Sequence, residues 1–184
     1  MGNWGWRLAS VVGTVVVFVL SLWINEVVFT HSEYVRGVNW IYLPSGVRLL
    51  ATLLLGADGA IGLLIASWLV DFLYFFPNDP IRSIAGGILS TVAPYAVYRI
   101  ARERYGLNAS LTNLTPRRLL ALALAFSIAN PVLINIWLAL NGNTTHLAER
   151  FFAMVAGDLL GAVIVLYAVK ALLSLLPTPS AVGK

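Results

Sequence analysis

Arg48, Asp71 and Asp158 are charged residues set inside apolar stretches long enough to cross or nearly cross a bilayer. An unpaired charge at that depth is expensive, so the three side chains must face one another or a wet cavity. A guanidinium fork satisfies a carboxylate in a medium that offers neither donors nor acceptors, and Asn130 can complete such a network from another apolar run. Two chemistries fit: a structural ion-pair network, or the polar lining of a ligand pocket. Two carboxylates against one guanidinium leave a negative excess. A cationic ligand, a proton on one Asp, or contact of Asp71 with outer water would each resolve it.

Other chemistry finds little support. His31 and His146 fall in or near predicted outer connections and belong to no metal-ligand spacing. Ser45, Ser67 and Ser90 have no identifiable His base, and no Gly-x-Ser-x-Gly elbow is present. The chain has no Cys, which removes disulfides, thiolate metal sites and Cys nucleophiles. The expectation is recognition without catalysis, with no metal, no cofactor and no nucleic-acid partner.

The elements that must position these residues are membrane helices. With 59% hydrophobic and 11% charged residues among 184, and a mean hydropathy of +0.84, the chain has too little polar surface to clothe a soluble globule. No linker or charged block marks off a second unit. One all-α domain over residues 1–176 is expected, followed by a short cytoplasmic tail over residues 177–184. A span needs roughly 20 residues, and six candidates occur: Leu8 to Val28, Val38 to Leu55, Ala60 to Phe76, Ile81 to Tyr98, Leu119 to Leu140 and Phe151 to Leu176. The second contains Pro44-Ser45-Gly46, which is expected to kink or break it.

The connection from Arg99 to Arg118 carries five arginines and a single acid, Glu103, so the positive-inside bias puts it in the cytoplasm. Counting outward places both termini inside, with Arg7, Lys170 and Lys184 on that side and Glu26, Glu33, Asp79 and Glu149 outside. The net charge of +4 therefore reads as membrane topology. Trp4, Trp6, Trp23, Trp40, Tyr42 and Tyr105 lie near span ends, as interfacial anchors do. At about 1.5 Å per residue, Asp71, Asp158 and Asn130 each stand about 18 Å from the inner end of their spans, so three helices contribute to one polar layer. Arg48 reaches that layer by snorkelling. Asn130-Pro131 should disturb the fifth helix at the same depth.

Leu43-Pro44-Ser45-Gly46-Val47-Arg48, followed by Leu53-Leu54-Leu55-Gly56 and Gly59 through Gly62, resembles the beginning of the bacterial membrane-associated sensor domain of the first MASE type. Gly157-Asp158-Leu159-Leu160-Gly161 resembles the Gly-Asp-x-x-Gly segment of a late helix in that family. The resemblance implies a multi-helix sensory module of the bacterial inner membrane, with Pro44, Gly46, Gly56, Gly62, Gly157 and Gly161 mostly defining the fold. It also implies signalling output. Because this chain reaches Pro177-Thr178-Pro179 without an output domain, output is expected through a separate membrane or cytoplasmic protein. The size, the six spans and the turn Gly56-Ala57-Asp58-Gly59-Ala60-Ile61-Gly62 are also similar to the substrate-binding membrane component of energy-coupling-factor transporters, which implies capture of a vitamin or other small molecule from outside.

Overall fold

The computed structural model describes residues 4–106 and 114–175, and the tail expected over residues 177–184 lies outside them. Among the described residues there are six helices: α1 (Trp4–Val28), α2 (Pro44–Leu55), α3 (Ala57–Val70), α4 (Pro80–Tyr105), α5 (Pro116–Leu140) and α6 (Leu147–Ser174). A π-helical turn, Asp71–Phe75, prolongs α3. Helix α1, α3 with its π turn, α4, α5 and α6 are each long and apolar enough to cross a membrane. Large apolar side chains along these helices, such as Val12, Val16 and Leu20 of α1, are left exposed for lipid. The protein is an all-α, multi-pass membrane protein.

The second expected span is different. Residues Val38–Asn39 form strand β2, which pairs antiparallel with β1 (Glu33–Val35) in a small hairpin. Helix α2 begins only at Pro44, and its 12 residues rise about 18 Å, short of the roughly 30 Å of hydrocarbon. Pro44 stands at the first helical position, where the missing N–H would have had no partner anyway. Pro44-Ser45-Gly46 is thus the start of a short helix and not a break within a long one. The Asn25 side chain of α1 accepts the Leu43 N–H at 2.8 Å, which satisfies a donor at the entrance of α2.

Helix α2 is the axis of the molecule. It packs against all five other helices, and nine of its 12 residues are buried. Leu49 and Leu53 join Ala93, Val97, Leu122 and Phe126 in one core. Val47 and Ala51 join Phe18, Leu22, Leu63 and Ala66 in another. One short helix therefore links two apolar clusters through different faces.

The chain crosses back and forth so that two faces of the bundle differ in charge. Arg7 Nε donates to Asp58 Oδ1 at 3.0 Å, bringing the start of α1 to the α2–α3 turn. Tyr98 lies against Gly56 of the same turn, and Arg102 donates to its hydroxyl. The end of α4 and the start of α5 therefore share this face, which carries Arg7, Arg99, Arg102, Arg104, Arg117 and Arg118 and is called the basic face below. At the opposite end are the hairpin, the π turn, and the α5–α6 connection.

Glycine sets the closest approaches. A Cβ on Gly157 would strike the Asn39 carbonyl, and one on Gly161 would strike the Tyr42 carbonyl. A Cβ on Gly46 would stand 2.5 Å from Val165 Cβ. The two segments Pro44-Ser45-Gly46 and Gly157-Asp158-Leu159-Leu160-Gly161 thus meet in space, joined by Tyr42 N–H to the Gly157 carbonyl at 3.1 Å and Ser45 Oγ to the Asp158 carbonyl at 2.7 Å. Gly62 similarly seats α3 on Thr14 of α1. At Gly56, φ is +57°, a conformation that suits the sharp α2–α3 turn.

Gly161→Ala should destabilise the protein by about 1–3 kcal/mol, the cost of forcing a methyl into a filled contact. Gly13→Ala, with nothing within 4 Å of the added atom, should be neutral or stabilising by up to about 1 kcal/mol. Thermal unfolding of both variants in nanodiscs measures the difference. Equal melting temperatures would show that the α2–α6 approach is not a tight constraint.

Candidate functional site

Short α2 leaves the bundle unfilled on the hairpin side, and a cavity of about 90 Å³ lies there. One enclosed water needs at least roughly 10–15 Å³ on this measure, so there is room for several. Arg48, Asp71, Asn130 and Asp158 all line it. They arrive from α2, the π turn, α5 and α6, so four separate elements converge on one space.

Each side chain is held by its surroundings. Arg48, only 8% exposed, has its guanidinium carbon 5.2 Å from the Phe18 ring centre and 5.4 Å from that of Tyr42. Two aromatic faces thus hold the cation where water is scarce. Asp158 accepts from Asn130 Nδ2 at 2.7 Å, with both residues buried. Asp71 opens the π turn, whose Phe76 N–H reaches back to the Asp71 carbonyl at 2.8 Å. Single π turns commonly mark places where a helix re-aims a side chain for function. The Asp71 carboxylate rests on Gly86, where an added Cβ would lie 2.9 Å from Oδ2.

No Arg48 nitrogen comes within 4.0 Å of either carboxylate. The polar layer is therefore not a closed ion-pair network. Its charges face a cavity, and Arg48 Nε is buried with no protein partner.

Three further arginines change the sign of the site. Arg36, Arg82 and Arg150 line the same cavity, so four guanidinium groups face two carboxylates. The negative excess inferred from Arg48, Asp71 and Asp158 alone is reversed. Arg36 donates to the Tyr74 carbonyl at 2.8 Å and lies over the Tyr74 ring. Arg82 stacks 3.8 Å above the Phe76 ring centre. Arg150 has Nε and Nη1 buried without a protein partner. Asn39 and Tyr42 add polar wall from the hairpin side. Tyr42 is thus a cavity residue and not an interfacial anchor, while Trp4, Trp6, Trp23 and Tyr105 are exposed near helix ends, as expected of anchors.

A signal for the missed arginines was present in the sequence. Every basic residue outside the predicted cytoplasmic side, namely Arg36, Arg48, Arg82 and Arg150, lines the cavity. Exceptions to a topology rule were the site.

The hairpin closes one side of the cavity and is tied to α6. Tyr34 of β1 donates to Glu149 Oε2 at 2.6 Å, and this hydrogen bond, with burial and the Glu149 charge, raises the Tyr34 pKa. His146 also meets Glu149, at 3.0 Å, outside the cavity wall. His31 contacts the Thr30 hydroxyl at 3.1 Å. Among the described residues no three His, Cys, Asp or Glu side chains gather as a metal site. Helix α5 continues through Pro131, and Asn135 donates to the Pro131 carbonyl at 2.8 Å, so this proline does not break the wall.

Asn130→Leu should cost about 1–3 kcal/mol, because it strips the donor from a buried carboxylate. Adding Asp158→Leu should recover part of that loss, since removing both partners leaves no stranded group. Melting temperatures of the two singles and the double test this coupling. Additive losses would mean that the 2.7 Å contact contributes nothing to stability.

No protein-family model matches the chain, and neither a curated protein nor a solved structure matches it.

Proposed function

We propose that this protein is a sensor-like recognition module of a bacterial cytoplasmic membrane, which takes a small ligand into the cavity and acts through a separate protein. The observation that carries the reading is the arrangement of Arg48, Asp71, Asn130 and Asp158 around one cavity with Arg48 left unpaired. A purely structural role would favour direct pairing of these groups, because a buried charge without a partner is strongly unfavourable. Convergent polar groups in a mostly apolar concavity are the usual form of a small-molecule site.

Orientation follows from charge. With the basic face in the cytoplasm, both termini are cytoplasmic and the cavity lies toward the outside, bounded by exposed Arg36. The similarity of the Pro-Ser-Gly and Gly-Asp-x-x-Gly segments to the first MASE type supports a sensory role. Contact between those segments around the α2–α6 crossing gives a physical reason for their glycines. An outward cavity also favours a second reading, a substrate-binding component of a transporter.

Native mass spectrometry of protein purified gently from its source membrane tests these readings. A small molecule at one copy per chain, lost in a folded Asp158→Asn variant, is the expected result. Copurification of a signalling protein supports the sensor reading, and of a transmembrane partner with ATPases the transporter. Absence of any small molecule, together with full retention of partners by Asp158→Asn, would leave the cavity a structural feature.

A further inference from the structure

The cavity's unmet hydrogen bonds specify the ligand more closely than its shape does. Among the described residues, buried nitrogen donors without a protein partner are Arg48 Nε, Arg150 Nε and Nη1, Asn39 Nδ2 and Asn25 Nδ2, and all but the last belong to residues lining this one cavity. Against them stand the buried Asn130 Oδ1, without a partner, and the carboxylates of Asp71 and Asp158, which the four guanidinium groups outnumber. Among the described residues no carboxylate lies within 4.0 Å of the Arg36, Arg48, Arg82 or Arg150 nitrogens. The site has donors in excess and positive charge in excess. What it lacks is negative charge to match four guanidinium groups.

We infer that the cavity binds a small oxyanion, a phosphate or carboxylate group, held between Arg48 on the α2 side and Arg150 on the α6 side. This rests on the reading of the cavity as a ligand site and adds the ligand's chemical class. A planar guanidinium fork matches both oxyanions, and in a site of low dielectric such hydrogen bonds are strong. Space of about 90 Å³ suits one such group with a few waters. Phe75, Phe76 and Trp137 give the wall an apolar part that a ligand's apolar substituent could contact. The same chemistry is carried by a free anion in the outer solution and by the headgroup of an anionic lipid.

Arg48 and Arg150 also contribute in the absence of ligand. Like charges around a partly dry cavity repel, and an anion relieves the repulsion. Arg150→Gln should therefore raise the melting temperature of the ligand-free protein while it weakens anion binding. A side chain kept only for packing would do the opposite and lower the melting temperature.

The test uses the full chain in phosphatidylcholine nanodiscs, with inorganic phosphate and succinate as soluble probes. A parallel series contains phosphatidylglycerol, counted by native mass spectrometry. Wild type should be stabilised by one of the soluble probes or retain about one phosphatidylglycerol per chain. Affinity should fall at least tenfold in Arg150→Gln and in Arg48→Gln and be unchanged in Arg99→Gln, whose ion pair with Glu103 is exposed and far from the cavity. Stabilisation by a soluble probe assigns a free anion, and selective retention of phosphatidylglycerol assigns a lipid headgroup. Binding that is indifferent to both cavity substitutions, or no binding of any of the three probes, overturns the inference. Should the source membrane then yield a bound cation or neutral molecule lost in Asp158→Asn, the ligand-site reading stands and only the oxyanion assignment falls. With no ligand of any kind, both fall.

Discussion

The chain at the entrance of α2 lies so close to α6 that no side chain fits at Gly157 against the Asn39 carbonyl or at Gly161 against the Tyr42 carbonyl. The other features of the hairpin side follow from that contact. A short helix pinned in the middle of the bundle cannot reach the hairpin-side surface, so the chain from Asn39 to Leu43 must descend into the membrane layer without helical hydrogen bonds. Irregular backbone at such depth is tolerated only where protein or a wet cavity satisfies it. Here the Gly157 carbonyl takes the Tyr42 N–H and the Asn25 side chain takes the Leu43 N–H. Where α2 is missing, the cavity remains. Its position is a consequence of helix length as much as of the residues that line it.

The same contact fixes the electrostatics. Ser45 Oγ joins α2 to the Asp158 carbonyl, so Arg48, one turn further along α2, faces the cavity beside Asp158 at a separation set by backbone packing and not by the side chains themselves. Close pairing would have neutralised both. Instead Phe18 and Tyr42 hold the guanidinium while Asn130 holds the carboxylate. Each charge has its own support, and the two remain available to a third group. Such preorganisation reduces the ordering that a ligand must impose on binding.

Much of this was legible in the sequence, and the limits are physical. Five long helices were recognisable because apolar length is the dominant constraint in a bilayer. The convergence of Asp71, Asn130 and Asp158 on one space was recognisable because rise per residue is fixed along a helix, so equal counts from one end place residues at one level. The stretch from Val38 to Leu55 was misread because its composition is apolar throughout. Composition does not distinguish a spanning helix from a hairpin strand that leads into a short buried one. Pro44 was read as a break inside a helix, whereas it starts one, and the local preference of Pro is compatible with both. The π turn at Asp71 has no sequence signature. Arg36, Arg82 and Arg150 are not individually legible as site residues because they stand near element ends, where a basic residue is ordinarily solvated; that they line the cavity is a matter of tertiary packing.

The two carboxylates need an account if the cavity takes an anion. Four guanidinium groups in a space of about 90 Å³ would repel one another strongly and would hold any oxyanion too firmly to release it. Asp71 and Asp158 lower that field without closing on any arginine, since none of the four lies within 4.0 Å of a carboxylate. Their placement also discriminates. A ligand group directed at Arg150 and Arg48 meets donors, while one directed at Asp71 meets a like charge when it is anionic. A module that must report occupancy, or hand its ligand to a partner, benefits from an affinity set by opposed charges: each added or removed charge shifts the balance, and the site can be both selective and reversible.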